Sequence, residues 1–130
     1  MKRIGTAILI DDNPIDQRLY KKILMRSDLV GEVITFSLAG PALDFLRENR
    51  SQKIDVIFLD INMPMMDGFE FLDAATEEFK DGFTEIVVAM LTTSLNPVDK
   101  ERARKFDVVR EYITKPLTKQ HIQDVVAFLS

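Results

Sequence analysis

Carboxylates supply the first candidates for chemistry in this chain. Asp11 and Asp12 follow the apolar run Ala7 to Ile10, and Asp60 follows Val56 to Leu59. Three carboxylates drawn into one pocket repel one another, and at least one takes up a proton unless a cation neutralises them. Mg²⁺ suits such a set, because it uses one or two protein carboxylates and leaves room for water and phosphate oxygens. Calcium fits less well, since no spaced ligand loop is present. Two further runs end in Met90-Leu91-Thr92-Thr93-Ser94 and Thr114-Lys115-Pro116, which add hydroxyls and one ammonium. A carboxylate can attack phosphorus to give an acyl phosphate. The charge on the transferring oxygens is then met by a metal on one side and by a lysine and a hydroxyl on the other. No general base is required, because the carboxylate is already ionised.

Taken singly, these residues have blander readings. Asp11-Asp12 reads as a solvated turn or helix cap, Thr92 as a turn residue and Lys115 as a surface charge. Their common place at the ends of apolar runs makes them a set. His121, the sole histidine, is expected on the exposed side of a helix with no catalytic companion.

The elements that must position this set alternate. The apolar runs are Ala7 to Ile10, Val33 to Phe36, Val56 to Leu59, Ile86 to Leu91 and Tyr112 to Thr114. Four are nearly continuous rather than alternating, as expected of parallel strands covered on both faces. Between them lie helical spacings. Asn13-Pro14 caps and starts the first, with Ile15, Leu19 and Ile23 as its apolar stripe. The second spans Pro41 to about Asn49, with Ala42, Phe45 and Leu46 on one side, and the third follows Gly68 with Phe69 and Leu72. Asn96-Pro97 opens the fourth, with Val98, Arg102 and Phe106 near one stripe. The fifth follows Thr118, with Ile122, Val126 and Leu129. Lys80-Asp81-Gly82 reads as a loop. Right-handed crossovers then place helices on both faces of a doubly wound five-stranded parallel sheet, whose ligands bind outside the carboxyl ends of the strands.

Composition narrows the field. At 130 residues, with 46% hydrophobic and 29% charged side chains, the chain is expected to form one globular domain, residues 1–130, without a separate output domain. A net charge of −4 argues against a nucleic-acid partner. The absence of cysteine excludes disulfides, thiolate metal sites and a cysteine nucleophile. Ile86 to Leu91 falls far short of the ~20 residues needed to cross a bilayer, and Met1-Lys2-Arg3 leads into a segment too short for a signal peptide. A cytoplasmic protein with no membrane association is expected.

Four segments carry a resemblance: Ile8-Leu9-Ile10-Asp11-Asp12-Asn13-Pro14, Asp60-Ile61-Asn62-Met63-Pro64-Met65-Met66-Asp67-Gly68, Leu91-Thr92-Thr93-Ser94 and Tyr112-Ile113-Thr114-Lys115-Pro116. In this order, at these strand ends, they closely resemble the receiver domain of two-component response regulators, especially single-domain receivers of the chemotaxis type. The resemblance covers essentially the whole chain and implies a flavodoxin-like (βα)5 fold with strand order 2-1-3-4-5. It implies that Asp60 is the phosphoacceptor, taking a phosphoryl group from a histidine kinase or histidine phosphotransfer protein. It also implies that Asp12, Asp60 and the backbone carbonyl of Asn62 hold Mg²⁺, with Asp11 acting mainly through water. Thr92 matches the switch hydroxyl, Lys115 the lysine that pairs with the phosphoryl group, Tyr112 the aromatic switch, and Pro116 the residue after a cis bond. Thr93 is bulkier than the alanine or glycine often found after the switch position. Met63, Met65 and Met66 are expected to pack as a loop beside the acidic pocket.

The resemblance implies a signalling module and not a turnover enzyme, limited to Mg²⁺-dependent self-phosphorylation and autodephosphorylation. Its contact surface is expected on the fourth helix, fifth strand and fifth helix, which a homodimer could share. A phosphorelay shuttle without an effector would use the same pocket. An aspartate-nucleophile phosphohydrolase of the haloacid-dehalogenase type fits poorly. That enzyme expects Asp-x-Asp after its first strand and an acid two residues beyond the nucleophile, where Asn62 stands here.

Overall fold

The computed structural model describes residues 2–129; Met1 and Ser130, the ends of the expected domain, lie outside the described residues. Five parallel strands, β1 (Ile4–Ile10), β2 (Val30–Phe36), β3 (Val56–Asp60), β4 (Val87–Thr92) and β5 (Val109–Thr114), form one sheet in the order β2-β1-β3-β4-β5. This is the expected order. The strands run longer than the apolar runs alone suggested: β1 starts at Ile4, β2 at Val30 and β5 at Val109. Ladder pairing carries polar residues such as Thr6, opposite Glu32, and apolarity alone does not register them.

Helices α1 (Pro14–Arg26), α2 (Ala39–Glu48), α3 (Gly68–Phe79), α4 (Asp81–Thr84), α5 (Pro97–Ala103) and α6 (Lys119–Val126) connect and follow the strands. The expected fourth and fifth helices are thus α5 and α6. The expected loop at Lys80-Asp81-Gly82 is corrected in part, because Asp81 to Thr84 wind into one helical turn. Phe83, 1% exposed, is buried edge-on to Phe71, which pulls that turn onto the sheet.

Two apolar layers sandwich the sheet, and the two-residue strand period divides them. Ile8, Ile10, Ile57, Leu59, Val88 and Met90 face α2, α3, α4 and α5, whereas Ala7, Leu9, Val56, Phe58, Ala89 and Leu91 face α1 and α6. The central strands β3 and β4 are buried throughout.

Helix α1 departs in part from its expected stripe, of which only Ile23 packs against the core. The inward face carries Tyr20 and Leu24, while Ile15 and Leu19 are 74% and 45% exposed. The register is turned by about one residue, 100° of helix. Asn13 caps the helix through the Ile15 and Asp16 N–H groups, so the cap was read correctly and the face was not. Val98 on α5 is likewise exposed, and Ala103 is the buried residue there.

Candidate functional site

Parallel register assembles the site. Ile10 pairs with Leu59, Asp60 with Leu91 and Thr92 with Thr114. Asp11, Asp60, Thr92 and Lys115 therefore emerge side by side at the carboxyl ends of β1, β3, β4 and β5. One carboxylate oxygen from each of Asp11, Asp12 and Asp60 lies within 4.8 Å of the others. Asp11 is fully buried, Asp60 is 6% exposed and Asp12 faces solvent.

Lys115 bridges this cluster. Its Nζ donates to Asp11 Oδ2 at 3.0 Å and to Asp16 Oδ2 at 3.0 Å, and lies 3.8 Å from Asp60 Oδ2. The Tyr20 ring lies 5.8 Å from the same ammonium. The Lys115–Pro116 bond is cis, as the resemblance implied.

The electrostatics follow from burial. Desolvation, reinforced by the charges of Asp11 and Asp12 and opposed by Lys115, pushes the Asp60 carboxyl up to about 7. Burial also pushes Asp11 up, although the Asn13 N–H and Lys115 pull the other way. Burial alone would lower Lys115. Its bonds to Asp16 and Asp11 and the charge of Asp60 outweigh that and raise it, so the ammonium stays charged. One lysine does not neutralise the carboxylates around it, and Asp60 is the member of the set most inclined to keep a proton.

Backbone geometry holds the loop after Asp60 close. Gly68 N–H donates to Ile61 O at 2.7 Å, and a Cβ added at Gly68 would sit 2.6 Å from the Asp60 carbonyl oxygen. Only glycine permits α3 to start this near the end of β3. Asp67 and Glu70 form a capping box there. Met63 is buried and Met66 packs against the core as expected, but Met65 is 93% exposed at φ 72°. Asn62 lies exposed in this loop.

Thr92 is fully buried in β4 and points to the opposite sheet face from Asp60. Its Oγ1 accepts from Ser94 N–H at 2.9 Å. Tyr112 packs against the same core layer. Its hydroxyl is buried beside Thr92, Ser94 and Asp99 with no hydrogen-bond partner among the described residues, and burial pushes that phenol up. The ring is already turned inward here. Thr93 faces solvent. His121 is only half-exposed: its Nδ1 accepts from Thr118 N–H at 3.0 Å, an N-terminal capping role in place of the expected free surface position.

The structure thus unites Asp11, Asp12, Asp60 and Lys115, and sets Thr92 and Tyr112 just behind them. Sequence reasoning missed Asp16 and Tyr20. Their spacing with Leu24 at i, i+4, i+8 was the available signal, but a search for apolar stripes passes over an aspartate. A groove of about 340 Å³ lined by Leu46, Arg50, Lys53, Phe79 and Phe83 lies at the other end of the strands, away from the acidic cluster.

Comparison with known proteins finds relatives of the same fold. The family model described as response regulator receiver domain matches residues 7–127. A two-component response regulator of Oryza sativa subsp. japonica, ORR26, is 31% identical over 123 residues, covering 92% of this chain and 19% of its own length. The chain spans well under two thirds of the length of the first curated relatives it matches. Among solved structures, a two component response regulator from Cytophaga hutchinsonii superposes with a TM-score of 0.91 at 29% identity, covering 97% of this chain and 96% of that one. The Mn²⁺-bound form of response regulator Rcp1 superposes with a TM-score of 0.75 at 28% identity, covering 94% of this chain and 88% of that one.

Proposed function

We propose, from the premise that this chain belongs to the response regulator receiver domain family, that Asp60 accepts a phosphoryl group from a histidine of a partner kinase or phosphotransfer protein. The observation that carries this reading is the Asp11, Asp12, Asp60 cluster with Lys115 bridging it. An Asp60 oxygen forms the new bond to phosphorus as the P–N bond to the donor imidazole breaks. The electron pair leaves with that nitrogen, which takes its proton from solvent. Lys115 meets the charge of the transferring oxygens.

The donor set suits Mg²⁺: hard oxygens, partly exposed, with more negative charge than one lysine offsets. Asp12, Asp60 and the Asn62 carbonyl would hold it, with Asp11 contributing through water. The ion would neutralise the carboxylates and the incoming phosphoryl oxygens. The Mn²⁺-bound relative supports a divalent cation here.

Receiver domains are signalling domains, and this one is read as a single unit of residues 1–130, working in the cytoplasm where a kinase finds ATP. Phosphorylation biases a two-state equilibrium through Thr92 and Tyr112. The contact surface for an effector or a second copy is read on α5, β5 and α6, with Val98 exposed on α5, Leu95 exposed just before it and Phe128 exposed just after α6. The donor docks on the outward face of α1, where Ile15 and Leu19 are exposed and share a groove with Arg18 and Lys22.

Mass spectrometry after incubation with a small phosphodonor and Mg²⁺ tests the acceptor. Wild type gains one phosphoryl mass and Asp60→Asn gains none. A gain that persists in Asp60→Asn overturns the assignment.

A further inference from the structure

Lys115 is held away from the acceptor. An ammonium has three donors. Two are directed at Asp11 and Asp16, each 3.0 Å away, while Asp60 stands at 3.8 Å. The Tyr20 ring covers a further side, and the Lys115 side chain is only 9% exposed. Asp11 is buried and also accepts from Asn13 N–H, so it is anchored on its own account. Asp16 is different. The helix cap is already supplied by Asn13, which accepts from the Asp16 N–H, so the Asp16 carboxylate is not needed for capping. Its acceptor oxygen faces Lys115, and its side chain is 28% exposed, at the rim where a donor arrives.

On the reading that Lys115 pairs with the phosphoryl group, we propose that Asp16 is a positioning residue that holds Lys115 at rest and thereby sets how readily Asp60 is phosphorylated. The third lysine donor is open to an arriving phosphoryl oxygen, but moving the ammonium toward Asp60 stretches the 3.0 Å bonds that hold it to Asp11 and Asp16. Asp16 is the partner that lets go, because it is the more exposed and the less anchored of the two. The turned register of α1 puts it there: Asp16 stands one helical turn before Tyr20, whose ring backs the same lysine. The effect is competition between two anions for one cation, both making charge-assisted bonds.

The test measures the concentration dependence of labelling by acetyl phosphate, and beryllofluoride affinity, for wild type, Asp16→Asn, Asp16→Glu, Lys115→Ala and the double variant Asp16→Asn with Lys115→Ala. Asp16→Asn is expected to bind beryllofluoride about fivefold more tightly and to half-saturate at correspondingly lower donor concentration. Asp16→Glu is expected to stay near wild type. In the Lys115→Ala background, Asp16→Asn should change nothing, because the two act as a coupled pair. Wild-type values in Asp16→Asn overturn the proposal. An equal gain without Lys115 also overturns it, since the effect would then be simple repulsion of an anionic donor. If wild type takes no label at all, the Asp60 reading fails and this proposal with it; label without an Asp16 effect removes this proposal alone.

Discussion

At the scale of the residue, Asp60 carries an energetic burden that metal is expected to relieve. Its carboxyl is near 3.8 when unfolded and is pushed up to about 7 by burial and its acidic neighbours. Below about pH 4 both states hold the proton, and the fold is not penalised. As pH rises from there to about 7, the unfolded chain loses the proton more readily than the native one. Native stability therefore falls across that window and stays lowered above it. Urea unfolding without metal should give the wild type about 1 to 3 kcal/mol less stability at pH 8 than at pH 5.5, relative to Asp60→Asn measured at the same pH values. Millimolar Mg²⁺ should restore much of that loss in the wild type. Asp11 is displaced in the same direction, so Asp60→Asn removes part of the slope and not all of it. A wild-type slope equal to that of Asp60→Asn would remove the burial argument.

At the scale of the element, two helix termini decide access and alignment. The start of α3 meets the end of β3 so closely that an added Cβ at Gly68 would contact the Asp60 carbonyl oxygen at 2.6 Å. That neighbour is backbone and does not swing aside. Gly68→Ala should destabilise the protein by about 2 kcal/mol or more. It should also slow labelling of whatever protein remains folded, because the acceptor loop must shift; urea midpoints and acetyl phosphate labelling measure the two effects. The outward stripe of α1 makes a separate prediction. Leu19→Asp places a charge on the exposed apolar face of α1 but leaves the inward face of Tyr20 and Leu24 untouched. Transfer from a cognate kinase should drop about tenfold, while labelling by acetyl phosphate stays at the wild-type rate. Equal loss with both donors would mean that the substitution damages the pocket and not a docking face.

At the scale of the whole molecule, the sheet stands between the proposed acceptor and the proposed switch residues. Asp60 projects toward the α1 and α6 layer, whereas Thr92 and Tyr112 belong to the layer of α3 and α5. On the proposed roles, phosphorylation of Asp60 would reach Thr92 and Tyr112 around the ends of β3 and β4. Thr92 Oγ1 is engaged by Ser94 N–H at rest, and Ser94 Oγ donates to Asp99 Oδ2 at 2.6 Å. Releasing Thr92 frees the loop that starts α5. Thr92→Ala should keep metal binding and labelling but lose most of the beryllofluoride-induced amide shifts around Tyr112, α5 and α6. A full wild-type shift pattern in Thr92→Ala would withdraw the switch role.

Much of this protein was legible in its sequence because the fold follows two local periodicities and the site follows the ends of strands. Apolar runs broken by capped helical stretches determined a doubly wound sheet. The terminal residues of those runs, Asp11, Asp60, Thr92 and Lys115, were expected at neighbouring strand ends, and the strand register brings them side by side there. The outer limits of β1, β2 and β5 were not legible, since ladder pairing and not apolarity extends them. The face of α1 was not legible either. Ile15, Leu19 and Ile23 satisfy a helical stripe on their own, but Asp16, Tyr20 and Leu24 satisfy it one residue later, and only packing chooses between them. Tyr20 fills the α1 and α6 layer, and Asp16 finds in Lys115, distant in sequence, the charge that makes its inward position favourable. Periodicity is a property of neighbours along the chain; the choice of face depends on a lysine that the fold brings from the far end of it.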